Sequence, residues 1–285
     1  MIDSVYPRSH DPASGTEIPL RDSLPAAKAA RVVVHHGRAG SLLAFSSVEL
    51  VSLARSADCM IELVPQVGNF VSRGDPLFRI YPAEKKIDDG ALLQRVAIGP
   101  ERTLEQDPGF AFRIMVDIAS RALSPAINDP TTAVLAVDQI HRLLHHVGSR
   151  QLDPGMVRDE GGKVRLVYPT PKWEDFVTLG VSEIRLFGAS SLQIPRRLRA
   201  MLEHLIEVLP PVREPALRRE LALLQKAVAR DYPDAEDRET AEIGDFQGVG
   251  GAPSKKSVRP DSMLDTRGDG TFFSAHIDGP PENRS

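Results

Sequence analysis

Cysteine is all but missing from this chain. Cys59 is the one cysteine in 285 residues, which excludes an intrachain disulfide and a cysteine-rich metal knuckle. A reducing, cytoplasmic setting is compatible with that usage. Aromatic residues make up only 5%, too few for a surface that stacks nucleic-acid bases. Positive charge is not in excess either. The formal net charge is −4 and the pI about 6.1, so no basic field draws phosphate backbones and nucleic acid is not an expected partner. No apolar run approaches the ~20 residues that span a bilayer, so no transmembrane segment is expected. The opening residues, MIDSVYPRSHDPASGTEIPL, carry no basic start followed by an apolar core and do not read as a secretory signal. Also missing are G-x-S-x-G, H-E-x-x-H, a Walker loop and a dinucleotide glycine motif. Enzyme chemistry is therefore not the leading expectation, and no cofactor is implied.

What is present is a helical pair, Glu101 to Val147. Asp107-Pro108 and Asp129-Pro130 each read as an N-cap followed by proline at the first helical position, where the missing N–H costs nothing. The first helix should end near Leu123, before Ser124-Pro125. Ala111, Phe112, Ile114, Met115, Val116, Ile118, Ala119, Ala122 and Leu123 cover more than half of its circumference, the pattern of a central helix. Arg113, Asp117, Ser120 and Arg121 share the remaining stripe. Two readings stand: a surface ladder of ion pairs, or a partly buried network that converges with Asn128 and Asp129 and orients the Ser124–Thr132 loop or holds an anion. As structure, Asn128 makes the turn and Asp129 caps. As function, Arg121, Asn128, Asp129, Thr131 and Thr132 would face a small polar ligand.

The second helix should bury Ala133, Ala136, Val137, Ile140, Leu144 and Val147. Asp138, His141 and His145 fall on another face at a spacing that could hold a divalent metal. The preferred reading is a solvated polar flank, and no metal is expected.

Around this pair, residues 1–30 read as a flexible arm. From Arg31 to Ile98 the pattern turns to short strands: Val32–Val34, Ser41–Phe45, Cys59–Val64 and Arg95–Ile98, with a short helix capped by Ser46 and Glu49. Val64 to Ile80, with turns at Gly68 and Gly74-Asp75, resembles the hammerhead of biotinyl/lipoyl barrel-sandwich domains. Covalent carriage is not implied, since Lys85 and Lys86 follow Pro82-Ala83-Glu84 rather than capping a tight hairpin. After Ser149 come a strand at Lys163–Tyr168 and helices at Trp173–Phe187, from Ser190 or Ser191 to Leu209, and from Pro215 to about Tyr232. Arg196, Arg197 and Arg199 read as a solvated face. Three charges are fewer than the four to eight of a lipid-binding patch. Residues 231–285 hold 12 acidic and 6 basic residues with little apolar patterning, so the tail from residue 233 should be disordered. The expected architecture is α+β: a β-rich barrel-sandwich-like unit (31–98), then a helical bundle domain (99–232), between an arm (1–30) and an acidic tail (233–285).

The runs GPERTLEQDP and VDIASRALSPAINDPTTA resemble a bacterial family of predicted membrane proteins, domain of unknown function 2254. The matching residues include Arg102, Thr103, Gln106, Asp107, Pro108, Asp117, Arg121, Ser124, Pro125, Asn128, Asp129, Pro130 and Thr132. Gly40, Gly68, Gly74, Trp173 and the run DFQGVG at 245–250 extend the likeness. Through this motif Arg102 joins Arg113, Asp117, Arg121, Asn128, Asp129 and Thr132 as the candidate ligand-binding or structural polar cluster. Family members place transmembrane helices ahead of this region, so the chain looks like the soluble half alone. The resemblance implies a binding or regulatory module in the cytoplasm, free or peripheral to the membrane, with a membrane protein or a second copy as partner. The alternative is an enzyme or small-anion binder built on the Arg/Asp cluster.

Overall fold

A computed structural model describes residues 2–10 and 30–248. The β-rich part opens with β1 (Arg31–Val34), β2 (Gly40–Phe45), helix α2 (Ser47–Ser56), β3 (Met60–Leu63), β4 (Phe70–Val71), β5 (Pro76–Tyr81), helix α3 (Asp89–Leu93) and β6 (Val96–Gly99). Ser46 caps α2 by accepting from the Glu49 N–H at 3.4 Å, as its sequence spacing requires.

These strands form two sheets and no closed barrel. One has the order β1-β5-β3-β8-β7 and the other β4-β2-β6. The β-rich unit thus does not stop at residue 98. β7 (Met156–Arg158) and β8 (Val164–Val167) come from beyond the helical pair, and β8 runs parallel to β3, with Ile61 opposite Leu166. The physical reason is that Ile61, Leu63, Ile80 and Leu166 are all fully buried in one core. A strand buried on both faces needs a neighbour on each edge.

The helical part comprises α4 (Pro108–Ala122), α5 (Pro130–Gly148), α6 (Trp173–Gly188), α7 (Gln193–Val208), α8 (Glu214–Asp231) and α9 (Ala235–Glu242). Asp107 accepts from the Phe110 N–H at 3.1 Å and Asp129 from the Thr132 N–H at 3.0 Å, so both expected caps form. Phe112, Val116, Ile140, Phe176 and Leu202 build the second core. Gly180 lets α6 approach closely, because a Cβ there would lie 3.0 Å from the Ile140 methyl. Trp173 is buried and donates its indole N–H to the Arg213 carbonyl at 2.8 Å, whereas Phe187, near the other end of α6, is 60% exposed.

Both ends of the described chain pack where no order was expected. Helix α1 (Ile2–Val5) buries Ile2 and Tyr6 against the helical core. Asp3 bonds His146 at 2.7 Å and also Arg150, while Gln151 N–H donates to the Arg8 carbonyl at 2.9 Å. At the other end Asp234 caps α9, and Asp245 N–H reaches the Arg196 carbonyl at 3.0 Å. The rest of the expected arm and tail lies outside the described residues. The covering by α9 and residues 243–248 also overturns the reading of Arg196, Arg197 and Arg199 as a solvated face. All three are buried. Arg196 Nε donates to the Ile243 carbonyl at 3.1 Å, and Arg199 pairs with Glu203.

Candidate functional site

The seven candidate residues separate along α4. Asp107 caps its first turn and Arg121 lies in its last. At 1.5 Å per residue these ends are about 20 Å apart.

On the middle of α4, Arg113 donates Nε to Asp117 at 2.7 Å. It also grips Glu183 of α6 with both terminal nitrogens, at 2.9 and 3.0 Å. Hydrogen bonding to Glu183 is the main reason its guanidinium is held more firmly protonated than usual, and the same bonds draw the Glu183 carboxyl below its ordinary range. The Asp117 side chain is 58% exposed. The stripe is therefore a surface ladder with one extra rung to a neighbouring helix. Glu183 had no motif to mark it.

At the last turn of α4, Asp117, Arg121, Asp129 and Thr132 line one shallow groove with Ile114, Ile118 and Ile127. Asp129 is occupied by its own helix, taking both the N–H and the hydroxyl of Thr132. The hydroxyl bond comes first among the causes that lower its pKa. Asn128 is exposed with φ +48°, the turn geometry that asparagine tolerates. Asn128 and Arg113 do not line this groove.

Arg102 sits at the opposite end. Its Nε donates to Asp107 Oδ2 at 2.9 Å, and its guanidinium lies over the Phe110 ring at 5.2 Å. Asp107 is 6% exposed and is satisfied from both sides, by Arg102 and by the helix N-terminus. Gly68, at φ +89°, leaves the space for this pair, since a Cβ there would come within 2.5 Å of both side chains.

This end of α4 opens onto the seam between the two cores, around a cavity of about 370 Å³. Tyr6, Phe45, Gln106, Asp107, Asp153 and Tyr168 are among its walls. The Gln106 side-chain oxygen accepts from the Phe45 N–H at 3.3 Å, tying the helical pair to β2. Tyr168 donates its hydroxyl to Asp153 at 2.7 Å and packs edge-on against Phe45, ring centroids 4.8 Å apart. Burial, then the charge of Asp153, pushes the Tyr168 phenol up. Tyr6 is 2% exposed, and burial followed by the charges of Asp153 and Asp107 raises its phenol too. No hydrogen-bond partner of the Tyr6 hydroxyl is found among the described residues. The sequence pattern marked Gln106 and Asp107 but missed Tyr6 and Asp153, which lie in non-periodic segments, and Tyr168, which it read only as the end of a strand.

A third polar constellation joins α5 to α7. Arg197 Nε donates to Asp138 at 2.6 Å, and its NH2 group reaches His141 Nδ1 at 3.0 Å. His141 Nε2 is 2.9 Å from His204 Nδ1. Arginine has no acceptor, so His141 Nδ1 accepts and the proton of the neutral ring sits on Nε2, which donates to His204. Burial, then Arg197 and His204, lowers the His141 pKa to about 4. Asp138, still one-third exposed, and His141 are thus engaged with α7, while His145 stays exposed, so the solvated-flank reading is corrected in part. No group of three or more metal-ligating side chains is arranged to hold an ion among the described residues.

Among the described residues no helix is long and apolar enough to cross a membrane. No solved structure matches the chain. Uncharacterized proteins of Mycobacterium bovis and of Mycobacterium tuberculosis strain H37Rv are each 32% identical to it over 248 residues, or 84% of this chain. The chain spans less than half of their length, 46%. A family model described as a predicted membrane protein matches residues 6–204, a range that takes in Tyr6, the Arg102–Asp107 pair, the seam cavity's walls apart from Ser4 and Val5, and the Arg197–His141–His204 chain. The chain belongs to that predicted membrane protein family, domain of unknown function 2254.

Proposed function

We propose that this chain is a small-molecule-binding regulatory module, working beside the membrane on a membrane-protein partner or a second copy, with its ligand in the seam cavity. The observation that carries the reading is the cavity of about 370 Å³ where Gln106 and Asp107 meet residues of both cores. Pockets at the junction of two packed units are preferred ligand sites, and a ligand there touches α1, β2, α4 and the segment after β8 at once. Occupancy would change how firmly the cores hold together, which is what a regulatory signal requires.

The helix-pair loop supports a structural role better than catalysis. Arg113 ties α4 to α6, Asp129 caps α5, and Arg121 shares its groove with two carboxylates, Asp117 and Asp129. That charge balance does not suit an anion.

The test is a thermal-unfolding screen of the chain against cationic, neutral and anionic metabolites. A ligand at 100 times its Kd adds about 2.7 kcal/mol, a shift of several degrees. The shift should shrink when a bulky side chain fills the cavity, as in Thr170→Trp. A panel in which no compound raises the melting temperature overturns the reading.

A further inference from the structure

We infer that the seam cavity selects an organic ammonium ion, a primary amine on a ring or short apolar body. This deepens the proposal of ligand binding and rests on it.

Three features carry it. The first is the unmatched Tyr6 hydroxyl, on a side chain only 2% exposed that lines the cavity. With no partner among the described residues, its oxygen is open to a donor in the cavity. The second is charge. Glu105, Asp107 and Asp153 line the cavity, and no lysine or arginine does. Arg102 neutralises Asp107. Asp153 accepts from the Tyr168 hydroxyl and from the Gly155 N–H at 2.8 Å, and no cation bonds to it among the described residues. The half-buried Asp153 therefore keeps its charge beside low-dielectric walls, where it attracts a cation more strongly than it would in water, and the exposed Glu105 adds charge of the same sign. The third is aromatic surface. Tyr6, Phe45 and Tyr168 present three rings to the same space, and ring faces attract ammonium groups while covering the apolar body attached to them.

An ammonium group has donors and no acceptors. It can therefore use the Tyr6 oxygen and the free lone pairs of Asp153 together. A carboxylate ligand would face those same oxygens with repulsion. The Ser47 hydroxyl turns to suit either donor or acceptor and does not decide the sign, while the Thr170 hydroxyl already donates to the Asp153 carbonyl at 2.9 Å and offers only lone pairs.

The experiment uses three probes of matched shape, phenethylammonium, 2-phenylethanol and 3-phenylpropionate, titrated calorimetrically into the whole chain at neutral pH. Phenethylammonium should bind at least ~10-fold more tightly than either of the others. Asp153→Asn should remove most of that margin, because it deletes the charge and keeps an acceptor for Tyr168. Tyr6→Phe breaks no hydrogen bond among the described residues and should weaken phenethylammonium while leaving 2-phenylethanol unchanged. Equal affinities, or preference for 3-phenylpropionate, overturn the inference but leave ligand binding in the cavity standing. No binding by any of the three at millimolar concentration also overturns it, and the thermal screen then decides separately whether the cavity binds anything. A margin that survives both substitutions places the cation elsewhere and overturns the assignment to this cavity.

Discussion

Two sets of arginines in this protein sit in opposite environments. Arg113 and Arg121 lie on α4, a helix apolar over more than half of its circumference, yet they border water and Arg113 pairs with a carboxylate that is 37% exposed. Arg196, Arg197 and Arg199 lie close together on α7, the pattern of an open face, yet none is more than 8% exposed. The difference lies in what arrives later in the chain. The polar side of α4 meets only the margin of α6. The polar side of α7 is covered by α5 and by α9 with residues 243–248. A helix's own residues establish which side is polar. Whether that side is desolvated depends on segments far away in sequence.

Substitutions can break this contrast, and the largest effect should come from the buried set. Arg197→Ala should cost about 3 kcal/mol, the low end for breaking a buried pair, since Asp138 stays one-third exposed and recovers some hydration. Urea unfolding of the variant gives the number. A cost under ~1 kcal/mol would place Arg197 with the surface ladder and erase the distinction.

Asp107→Ala comes next, at about 2 kcal/mol, because it removes a helix cap and strands the Arg102 guanidinium together. Asp107→Asn keeps the cap acceptor and should recover roughly half of that loss. Equal costs for the two variants would show that charge, not capping, dominates.

The third prediction is a pH effect at the buried arginine. His141 titrates near pH 4 in the folded protein, against 6.5 when free. The unfolded chain therefore takes up the proton first, and stability falls as the pH drops from about 6.5 toward 4. Above about pH 6.5 the contribution is complete. Arg197, His204 and His145 oppose protonation and Asp138 favours it. His141→Gln should flatten this part of the stability–pH curve, measured by denaturant midpoints across the window. An unchanged slope would mean that the ring turns to solvent when charged.

The smallest effect belongs to the exposed set. Asp117→Ala should cost under ~1 kcal/mol, because Arg113 keeps its bidentate grip on Glu183. A cost of about 3 kcal/mol or more would mean that α4's polar stripe is desolvated after all.

Much of the fold was legible in the residues. The Asp-Pro caps at 107–108 and 129–130 start helices α4 and α5, Ser46 caps α2, and Gly68 and Gly74 adopt positive φ. These are signals of short range, written in one or two turns of chain. The α+β class followed from the change in apolar period near residue 100. What could not be read was pairing at a distance, such as β8 with β3, α9 over α7, and residues 2–10 against the helical core. Their apolar residues are too few and too closely spaced to show a period. The seam cavity was half legible for the same reason. Gln106 and Asp107 stood in a recognisable motif, while Tyr6, Asp153 and Tyr168 come from three separate segments that only the tertiary structure brings together.

The parallel pairing of β8 beside β3 has a consequence for the way the molecule is made. Synthesis runs from the N-terminus, so β3 leaves the ribosome long before its neighbour, with Ile61 and Leu63 on an open edge. The sheet is complete only when Leu166 has emerged, by which time α4 and α5 are already outside the tunnel. Contacts of such wide sequence separation form slowly. During that interval the nascent chain carries an unpaired apolar strand edge, the kind of surface that captures other chains. Helices α4 and α5 can close locally while they wait, so the helical pair has time to form first and carry β8 back to its place.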